Sequence, residues 1–372
     1  MKTTVLLLLF CGLLPGQNRQ RPAHPPRVNA DLSVTYFIDV DAQSVFLADT
    51  VFSPGPPGLP MTKGPDGIWS VTTPPYEPGT YEYGFVIDGV PAGAELNVNA
   101  EFHVNDRLPR DAYPFDLIDV RGQEPLFHDL QQVPHGAVHI HTFHSELFNR
   151  DVSCYVYTPP GYDSFPFQEP YPVLYLMHAA WQRESIWTRF GYADRIMDNL
   201  IAAGSARKMM IVMPNTGMAS GDDQPLDLVV RYMLEEVIPL VERSYRVDTA
   251  QSSRYVAGIG AGSNRARELA FLYPEMFSAV GVMAGGGLGN AAAPLDVSYP
   301  KIKDAAAFKT LVRNIYIAIG RDDTHTAGVQ ANVQRLKSSL DQLGIPSTLS
   351  LTTGGYAWFN FRRFLAEFVK GL

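Results

Sequence analysis

Cysteine is nearly absent from this sequence, and its scarcity excludes one way of stabilising a fold. The 372 residues contain two cysteines, Cys11 and Cys154, so at most one disulfide could form within the chain. Cys11 lies in an apolar segment at the start of the sequence, and removal of that segment would leave Cys154 alone. We therefore expect packing to hold the protein together, with Cys154 as a small buried hydrophobic residue on a strand.

Positive charge and long apolar segments are also scarce. The 30 Lys and Arg residues face 38 Asp and Glu residues, which gives a formal net charge of −8. This balance argues against nucleic acid or an anionic membrane as the partner and leaves neutral or acidic soluble ligands. Beyond the first residues, no apolar stretch is long enough to predict a membrane-spanning helix. The length allows two domains, and a hydrophobic content of 46% is usual for a soluble globular protein.

The first 16 residues have the pattern of a secretory signal peptide. A Met-Lys start is followed by an apolar run at residues 5–14, which is too short to span a bilayer. We place the cleavage site near Gly16 and predict a secreted protein, periplasmic or extracellular. Lipidation of Cys11 is less favoured, because the bulky Phe10 precedes it where a small residue is expected.

Residues 30–106 contain short strand patterns separated by turns rich in Pro and Gly. Runs such as residues 34–38 and 81–87 carry many β-branched and aromatic side chains, and turns such as Glu77-Pro78-Gly79 lie between them. Strands of this length and spacing predict an immunoglobulin-like β-sandwich. A polar, Pro-rich spacer precedes this segment at residues 17–29. Residues 107–132 follow it without periodicity, and we interpret them as an extended linker.

Four stretches of this segment carry a resemblance to a known family. They are residues 60–63, 66–69, 78–83 and 86–89. On these stretches the segment resembles the family 48 carbohydrate-binding module, an immunoglobulin-like early set domain. The resemblance implies that Trp69 could stack on a sugar. A Trp packed in the core or between domains is an equal alternative, because many such modules serve only as a structural partner.

Residues 133–372 change to buried strand patterns that alternate with helical ones. Continuous apolar runs such as residues 173–177 and 209–213 suit parallel strands covered on both faces. Apolar residues from Leu234 to Val241 share one face of a helix, which Pro239 should kink. This alternation predicts a doubly wound α/β domain.

One turn of this domain has the layout of a nucleophile elbow. Gly258-Ile259-Gly260-Ala261-Gly262 follows a strand pattern and precedes a helix pattern, which is the setting of the G-x-S-x-G motif. The central serine is missing, and Gly260 stands in its place. The same glycines could suggest a dinucleotide-binding turn, but Ser263 stands where that motif needs its third glycine, and no acid follows the next strand. We therefore expect no cofactor.

Several stretches of the second domain also match a known family. They are residues 133–136, 156–162, 171–178, 238–239 and 245–247, and Gly354-Gly355 with Trp358. On these stretches the domain resembles carbohydrate esterase family 1, the feruloyl and acetyl-xylan esterases of plant cell-wall breakdown. The resemblance implies an α/β-hydrolase doubly wound sheet preceded by the β-sandwich, a domain order known in that group.

The resemblance implies where a Ser, Asp and His triad would lie, and two of the three positions are changed. Gly260 stands at the nucleophile position and Tyr356 at the position of the histidine base, and no histidine follows His325. Asp323 stands at the acid position, and without a His we expect its role to be only structural. Tyrosine, with an ordinary pKa near 10, is a poor base at neutral pH. We expect the Ser263 hydroxyl to bond to nearby backbone rather than to act as a relocated nucleophile.

Other positions near this site concern an oxyanion hole and ligand binding. The resemblance implies that the backbone N–H groups of Ala179 and Ala261 are what remains of an oxyanion hole. Trp181, near the former active-site mouth, could stack on a sugar or feruloyl ring or could plug the pocket. Tyr356 and Trp358 are further candidates for stacking on sugars, with core packing as the alternative for Trp358.

Three histidines on one predicted strand raise the question of a metal site. His139 and His141 would share a strand face, with His144 nearby, but no Cys or clustered carboxylate completes a ligand set. A packed or solvated edge is the better interpretation, and we expect no metal. We interpret Asp222-Asp223 as a solvated pair in a loop.

Together these patterns predict a secreted, non-catalytic esterase homologue that binds plant cell-wall polysaccharide of the xylan type. Two alternatives stay open: an active feruloyl or acetyl ester hydrolase with an atypical catalytic set, and a structural partner in a secreted complex. An elbow serine is held in a strained conformation that costs about 1–3 kcal/mol, whereas glycine adopts it almost without strain. We therefore expect Gly260→Ser to destabilise the protein by about that amount.

Overall fold

The structure is a computed structural model that describes residues 25–49, 58–92, 116–164, 169–180, 182–216, 225–288, 293–323 and 328–372. Several sequence predictions fall outside these described residues. They are the signal peptide at 1–16 with Cys11, the spacer up to residue 24, the start of the linker at 107–115, Trp181, Asp222-Asp223 and His325. Within the described part of the chain, none of the helices combines the length and the apolar character needed to cross a membrane.

Two antiparallel sheets form an N-terminal β-sandwich, which we call the module. One sheet has the order β1-β2-β6-β5, and the other has the order β4-β3-β7-β8 with β9 also paired to β7. Alternate side chains point inward, so that Tyr36, Leu47 and Phe85 are buried in a shared core. The strands are β1 Arg27–Val28, β2 Val34–Ile38, β3 Val45–Asp49, β4 Leu59–Pro60, β5 Thr62–Lys63, β6 Trp69–Thr72, β7 Gly79–Ile87, β8 Val90–Ala92 and β9 Asp116–Val120.

Strand β9 lies in the segment interpreted from the sequence as a linker. It pairs antiparallel with β7, from Tyr83 opposite Asp116 to Gly79 opposite Val120. Ile118 and Val120 are buried in the module core. The linker interpretation of 107–132 is therefore wrong at residues 116–120. Two inward-facing residues in a five-residue strand are too few to show a periodicity in the sequence.

An eight-stranded sheet organises the second domain. The order is β10-β11-β13-β12-β14-β15-β16-β17, with β10 and β11 antiparallel to their neighbours and β12 to β17 parallel to one another. Its strands are β10 Ala137–Ser145, β11 Arg150–Thr158, β12 Val173–Met177, β13 Met210–Pro214, β14 Arg254–Ile259, β15 Ala279–Met283, β16 Asn314–Gly320 and β17 Thr348–Thr352. A hydrophobic core covers each face of this sheet, which explains the continuous apolar strand sequences.

Helices lie between these strands and complete the α/β-hydrolase fold. They are α1 Ile186–Arg189, α2 Ala193–Ala202, α3 Leu226–Tyr232, α4 Ile238–Ser244, α5 Ala261–Leu272, α6 Leu295–Ser298, α7 Ala305–Leu311, α8 Val329–Gln342 and α9 Trp358–Lys370. A π-helical turn at Met233–Val237 joins α3 to α4 just before Pro239. Proline has no N–H to donate to the preceding turn, so the helix is irregular where the sequence predicted a kink.

Cys154 occupies an inward position on β11 and is fully buried. Burial raises the pKa of its thiol, so the side chain stays protonated. The prediction of a small buried hydrophobic residue on a strand is confirmed.

The module contacts the second domain through the outer face and one end of β7. The Thr80 hydroxyl lies 3.2 Å from His128 Nε2, and the same nitrogen lies 3.2 Å from Arg362 Nη1. The ring of Tyr81 lies 5.2 Å from the ring of Phe359 on α9. Arg362 is fully buried and donates from Nε to the carbonyl oxygen of Phe190 at 2.7 Å. These contacts place β7 of the module beside the start of α9.

Candidate functional site

The residues predicted for the degenerate triad meet at the carboxyl edge of the parallel strands. Gly260 follows β14, Asp323 follows β16, and Tyr356 follows β17. Carboxyl ends of parallel strands meet at one edge of the sheet, where ligands bind in open α/β folds. The Tyr356 hydroxyl reaches Gly260, and the charge of Asp323 adds to the burial that raises the pKa of Tyr356. The chain therefore brings these three residues together.

The backbone at Gly260 has a conformation that favours glycine, with φ of 52° and ψ of −120°. The outer glycines of the elbow, Gly258 and Gly262, are needed for a different reason, because other backbone atoms pack closely against them. A Cβ on Gly258 would lie 2.5 Å from the carbonyl carbon of Gly262, and a Cβ on Gly262 would lie 2.5 Å from the carbonyl oxygen of His178. The elbow geometry is thus present although the serine is not.

The hydroxyl group of Tyr356 fills the space that a nucleophilic side chain would need. A Cβ built on Gly260 would overlap Tyr356 Oη and would lie 3.1 Å from Ala179 Cβ. Non-bonded carbon atoms prefer separations of about 3.5–4 Å, so neither contact is relaxed. The two changes therefore depend on each other, because this tyrosine fits only where residue 260 has no side chain.

Neighbouring residues hold Tyr356 in this position. Its ring packs edge-on against Phe361, with 4.7 Å between ring centroids. The buried amide of Asn360 donates to the carbonyl oxygens of Thr353 and Gly355, at 3.1 and 2.9 Å, and accepts the Thr352 hydroxyl at 2.7 Å. These hydrogen bonds fix the backbone that precedes Tyr356.

Tyr356 is chemically unsuited to the role of the histidine. Burial raises the pKa of its phenol, and the negative charges of Asp323 and Glu82 raise that pKa further. The phenol therefore stays protonated at neutral pH and accepts no proton from a substrate or water. Asp323 is only 1% exposed, so its carboxylate is directed into the protein rather than toward solvent.

One of the predicted oxyanion-hole donors already has a partner. The backbone N–H of Ala179 donates to Oε1 of Gln182 at 3.0 Å, within the loop that follows β12. Ala261 is the first residue of α5, and a first-turn N–H has no acceptor within its own helix. An incoming oxyanion would have to displace the Gln182 side chain to reach the Ala179 donor.

His178 does not replace the missing base, although it lies at the same edge of the sheet. Its Nε2 accepts from the N–H of Thr216 at 3.2 Å and lies 3.1 Å from the Thr216 hydroxyl. Its Nδ1 must then carry the proton, which it donates to the carbonyl oxygen of Ala179 at 2.8 Å. Burial is the main cause that lowers the pKa of His178 to about 4. Both ring nitrogens are therefore used to order the loop.

Ser263 is fully buried in the first turn of α5, where its hydroxyl donates to the carbonyl oxygen of Gly260 at 2.5 Å. This bond confirms that the Ser263 hydroxyl is a local backbone partner.

Two aromatic residues proposed as sugar contacts are buried. Trp358 is 3% exposed and packs against Trp187 and Phe190. Trp69 is 8% exposed in the module core, where its Nε1–H donates to the carbonyl oxygen of Val40 at 3.2 Å. Neither ring can present a face to a sugar, so the core alternative holds for both. Trp181 lies outside the described residues, and the partly exposed Tyr356 directs its hydroxyl toward Gly260.

The three histidines of β10 have separate partners. His139 Nε2 lies 3.1 Å from the Thr158 hydroxyl, His141 Nε2 lies 2.5 Å from the Tyr245 hydroxyl, and His144 Nδ1 lies 3.0 Å from Asp151 Oδ1. Within the ranges that the structure describes, no group of three His, Cys, Asp or Glu side chains could hold a metal ion.

Three residues near the site were not found from the sequence: Glu82, Gln182 and Asn360. Glu82 belongs to the module, and burial raises its pKa to about 7, with Arg362 acting in the opposite direction. No motif in the sequence links a residue on a module strand to the elbow. Gln182 acts through one contact with the backbone and Asn360 through three hydrogen bonds of its amide, and neither arrangement leaves a periodic signal in the sequence.

The fold defines an esterase domain of the α/β-hydrolase type. Residues 145–371, more than half of the chain, match the family described as "Putative esterase". The chain belongs to this esterase family.

Curated relatives are similar over much of the chain. The chain is 26% identical over 336 residues to an endo-1,4-beta-xylanase/feruloyl esterase of Xylanibacter ruminicola. This alignment covers 88% of this chain and 43% of that protein. It is 24% identical over 238 residues to an uncharacterised protein of Corynebacterium glutamicum. That alignment covers 57% of this chain and 55% of the relative. The chain thus spans about half the length of these relatives.

Solved structures share the fold. A ferulic acid esterase of Anaeromyces mucronatus aligns with a TM-score of 0.56 at 18% identity, covering 66% of this chain and 93% of that one. The enterobactin esterase of Shigella flexneri aligns with a TM-score of 0.69 at 15% identity, covering 91% of this chain and 92% of that one. At these identities the likeness concerns the fold alone, and the second alignment includes the module.

Proposed function

We propose that this protein is a secreted, non-hydrolysing member of the esterase family that binds plant cell-wall polysaccharide of the xylan type. The main support for the loss of catalysis is the position of the Tyr356 hydroxyl, which fills the space that a side chain on residue 260 would need. The ligand class follows from the family and from the printed activity of the Xylanibacter ruminicola relative.

Ester hydrolysis on this fold needs a nucleophile, a base and donors for the oxyanion. Gly260 supplies no nucleophile, and Tyr356 is a protonated phenol that blocks the position. The Ala179 N–H is engaged by Gln182. Because the blocked nucleophile position alone prevents acyl-enzyme formation, the other changes only add to the barrier.

Polysaccharide binding remains compatible with these losses, because it needs a surface rather than a reactive group. The negative net charge suits a neutral soluble glycan better than a polyanion. The signal-peptide pattern of the first 16 residues supports a location outside the cell, where such a polymer would be found.

The test combines binding and hydrolysis on the same preparation. We expect the chain to be retarded in native gels that contain soluble xylan or arabinoxylan, and to release no more product from an aryl acetate or methyl ferulate than the heat-denatured chain does. Sustained turnover would favour the atypical hydrolase instead. Absence of both retardation and turnover would favour a structural partner in a secreted complex.

A further inference from the structure

We propose that the polysaccharide binds in a groove across the outer face of the module's first sheet, and not in the former esterase site. This inference rests on the proposed function and deepens it by locating the ligand. We call this feature the module groove; Arg27, Phe37, Asp66, Ile68 and Ser70 are the lining residues that the argument uses.

The module groove has the size and position for an extended chain. Its volume is about 740 Å³, and it runs from β1 over β2 to the turn between β5 and β6. Neighbouring strands are about 4.8 Å apart, so a path across the four strands of this sheet is roughly 14 Å long. A path of this length accommodates a short run of linked sugar rings.

An aromatic ring lies on the solvent side of this sheet. Val34, Tyr36 and Ile38 of β2 are buried in the module core, whereas Phe37 points to the opposite face and is only half-buried. Its neighbour across the sheet is Ser70 of β6, a small residue that leaves the ring uncovered from that side. Core packing does not require an aromatic side chain at this position.

Polar groups of both charges border the ring. The exposed Arg27 guanidinium lies over the Phe37 ring, with its carbon 5.8 Å from the ring centroid, and Arg27 Nε donates to Asn29 Oδ1 at 3.3 Å. At the other end, Asp66 Oδ1 accepts the Ile68 N–H at 3.1 Å. One cation and one anion leave the lining without net charge, which suits a neutral sugar. The exposed Arg27 side chain would move off the ring when the C–H face of the sugar takes its place, and the sugar hydroxyl groups would meet the guanidinium and the carboxylate.

The other module surface and the former active site are both occupied. Thr80 of β7 is 1% exposed beside His128, and Tyr81 contacts Phe359, so the second sheet of the module faces the esterase domain. Tyr356 fills the elbow. The module groove lies on the sheet that takes no part in these contacts.

The test compares xylan binding by the full chain and two groove variants. Phe37→Ala removes the ring, and Ser70→Trp fills the groove from the neighbouring strand, where an aromatic residue suits a β-strand. We expect each variant to weaken retardation by xylan about tenfold or more, and Phe37→Tyr to retain most of the affinity, because stacking depends on the ring. Ile140→Ala, which trims an apolar side chain 60% exposed on β10, is the matched control and should bind as the parent does.

The outcomes separate this inference from the proposed function. If the parent binds xylan and both groove variants bind equally well, the inference is wrong while the proposed function stands. If the parent binds no polysaccharide, the proposed function fails and the inference with it. If the variants lose self-association in sedimentation experiments but keep xylan binding, the groove belongs to a second copy of the chain and the inference is overturned. Melting temperatures near that of the parent show that Ser70→Trp has folded.

Discussion

Replacing Gly260 by serine tests whether the tyrosine and the glycine depend on each other. The substitution adds two separate costs. A residue with a side chain is strained at a φ of 52°, and its Cβ would overlap the Tyr356 hydroxyl. The sequence alone predicted only the first cost.

The magnitude can be estimated from these two sources. Backbone strain contributes about 1–3 kcal/mol, and overpacking in a well-packed site contributes about 1–3 kcal/mol more. Tyr356 cannot move aside freely, because Phe361 lies against its ring and Asn360 fixes the loop before it. We therefore expect Gly260→Ser to lower the free energy of unfolding by about 2–6 kcal/mol.

A double-mutant cycle separates the two costs. Tyr356→Phe removes the overlapping oxygen, so Gly260→Ser in that background should cost about 1–3 kcal/mol, mainly from backbone strain, with the 3.1 Å approach to Ala179 Cβ as the remaining close contact. Gly344→Ser is the matched control, since Gly344 has a φ of 66° and nothing within 4 Å of an added Cβ. Urea unfolding followed by tryptophan fluorescence measures each value. An equal cost of Gly260→Ser in both backgrounds, or a gain in stability, would refute the coupling.

Three further results are expected. Asn360→Ala should lower the free energy of unfolding by about 2–4 kcal/mol, because three hydrogen bonds, two of them buried, are lost; a change below 1 kcal/mol in urea unfolding would contradict this role. Trp358→Ala should cost about 3–5 kcal/mol while xylan retardation is unchanged, and the reverse pattern would restore Trp358 as a sugar contact. Burial holds the pKa of both His178 and His128 at about 4, below the ordinary 6.5. The unfolded chain takes up these protons first as the pH falls, so these two rings make stability decrease between pH 6.5 and pH 4. Glu82, whose pKa burial raises to about 7, acts in the opposite direction, because its contribution is lost as the pH rises from 4.5 through 7. The profile is therefore measured in a Glu82→Gln background, where a flat profile between pH 6.5 and pH 4 would show that these rings are not buried in the neutral form.

The layout of the elbow could be predicted because it is local. Glycine spacing between a strand pattern and a helix pattern fixes the backbone, and the structure has β14 and α5 on either side of Gly260. The two-domain architecture also follows from the strand and helix patterns. Both features depend on residues close together in the sequence.

The occupation of the site could not be predicted, because it depends on rotamers and long-range packing. Tyr356 and Gly260 are 96 positions apart in the sequence. Only the folded structure shows that the Tyr356 hydroxyl fills the space where a side chain on residue 260 would lie. Trp69 and Trp358 looked like sugar contacts from their motifs, but an aromatic residue in a motif fits a core equally well. Strand β9 was missed because its pairing partner lies more than 30 residues earlier in the chain.

The most direct measurement is the hydrolysis of an aryl acetate and methyl ferulate by the purified chain over many equivalents of substrate. If the protein has lost catalysis, its rate should equal that of the heat-denatured chain, with Asp323→Asn and Tyr356→Phe indistinguishable from the parent. Product released in large excess over protein, at a rate that either substitution changes, would show that the activity belongs to this chain and that catalysis has not been lost.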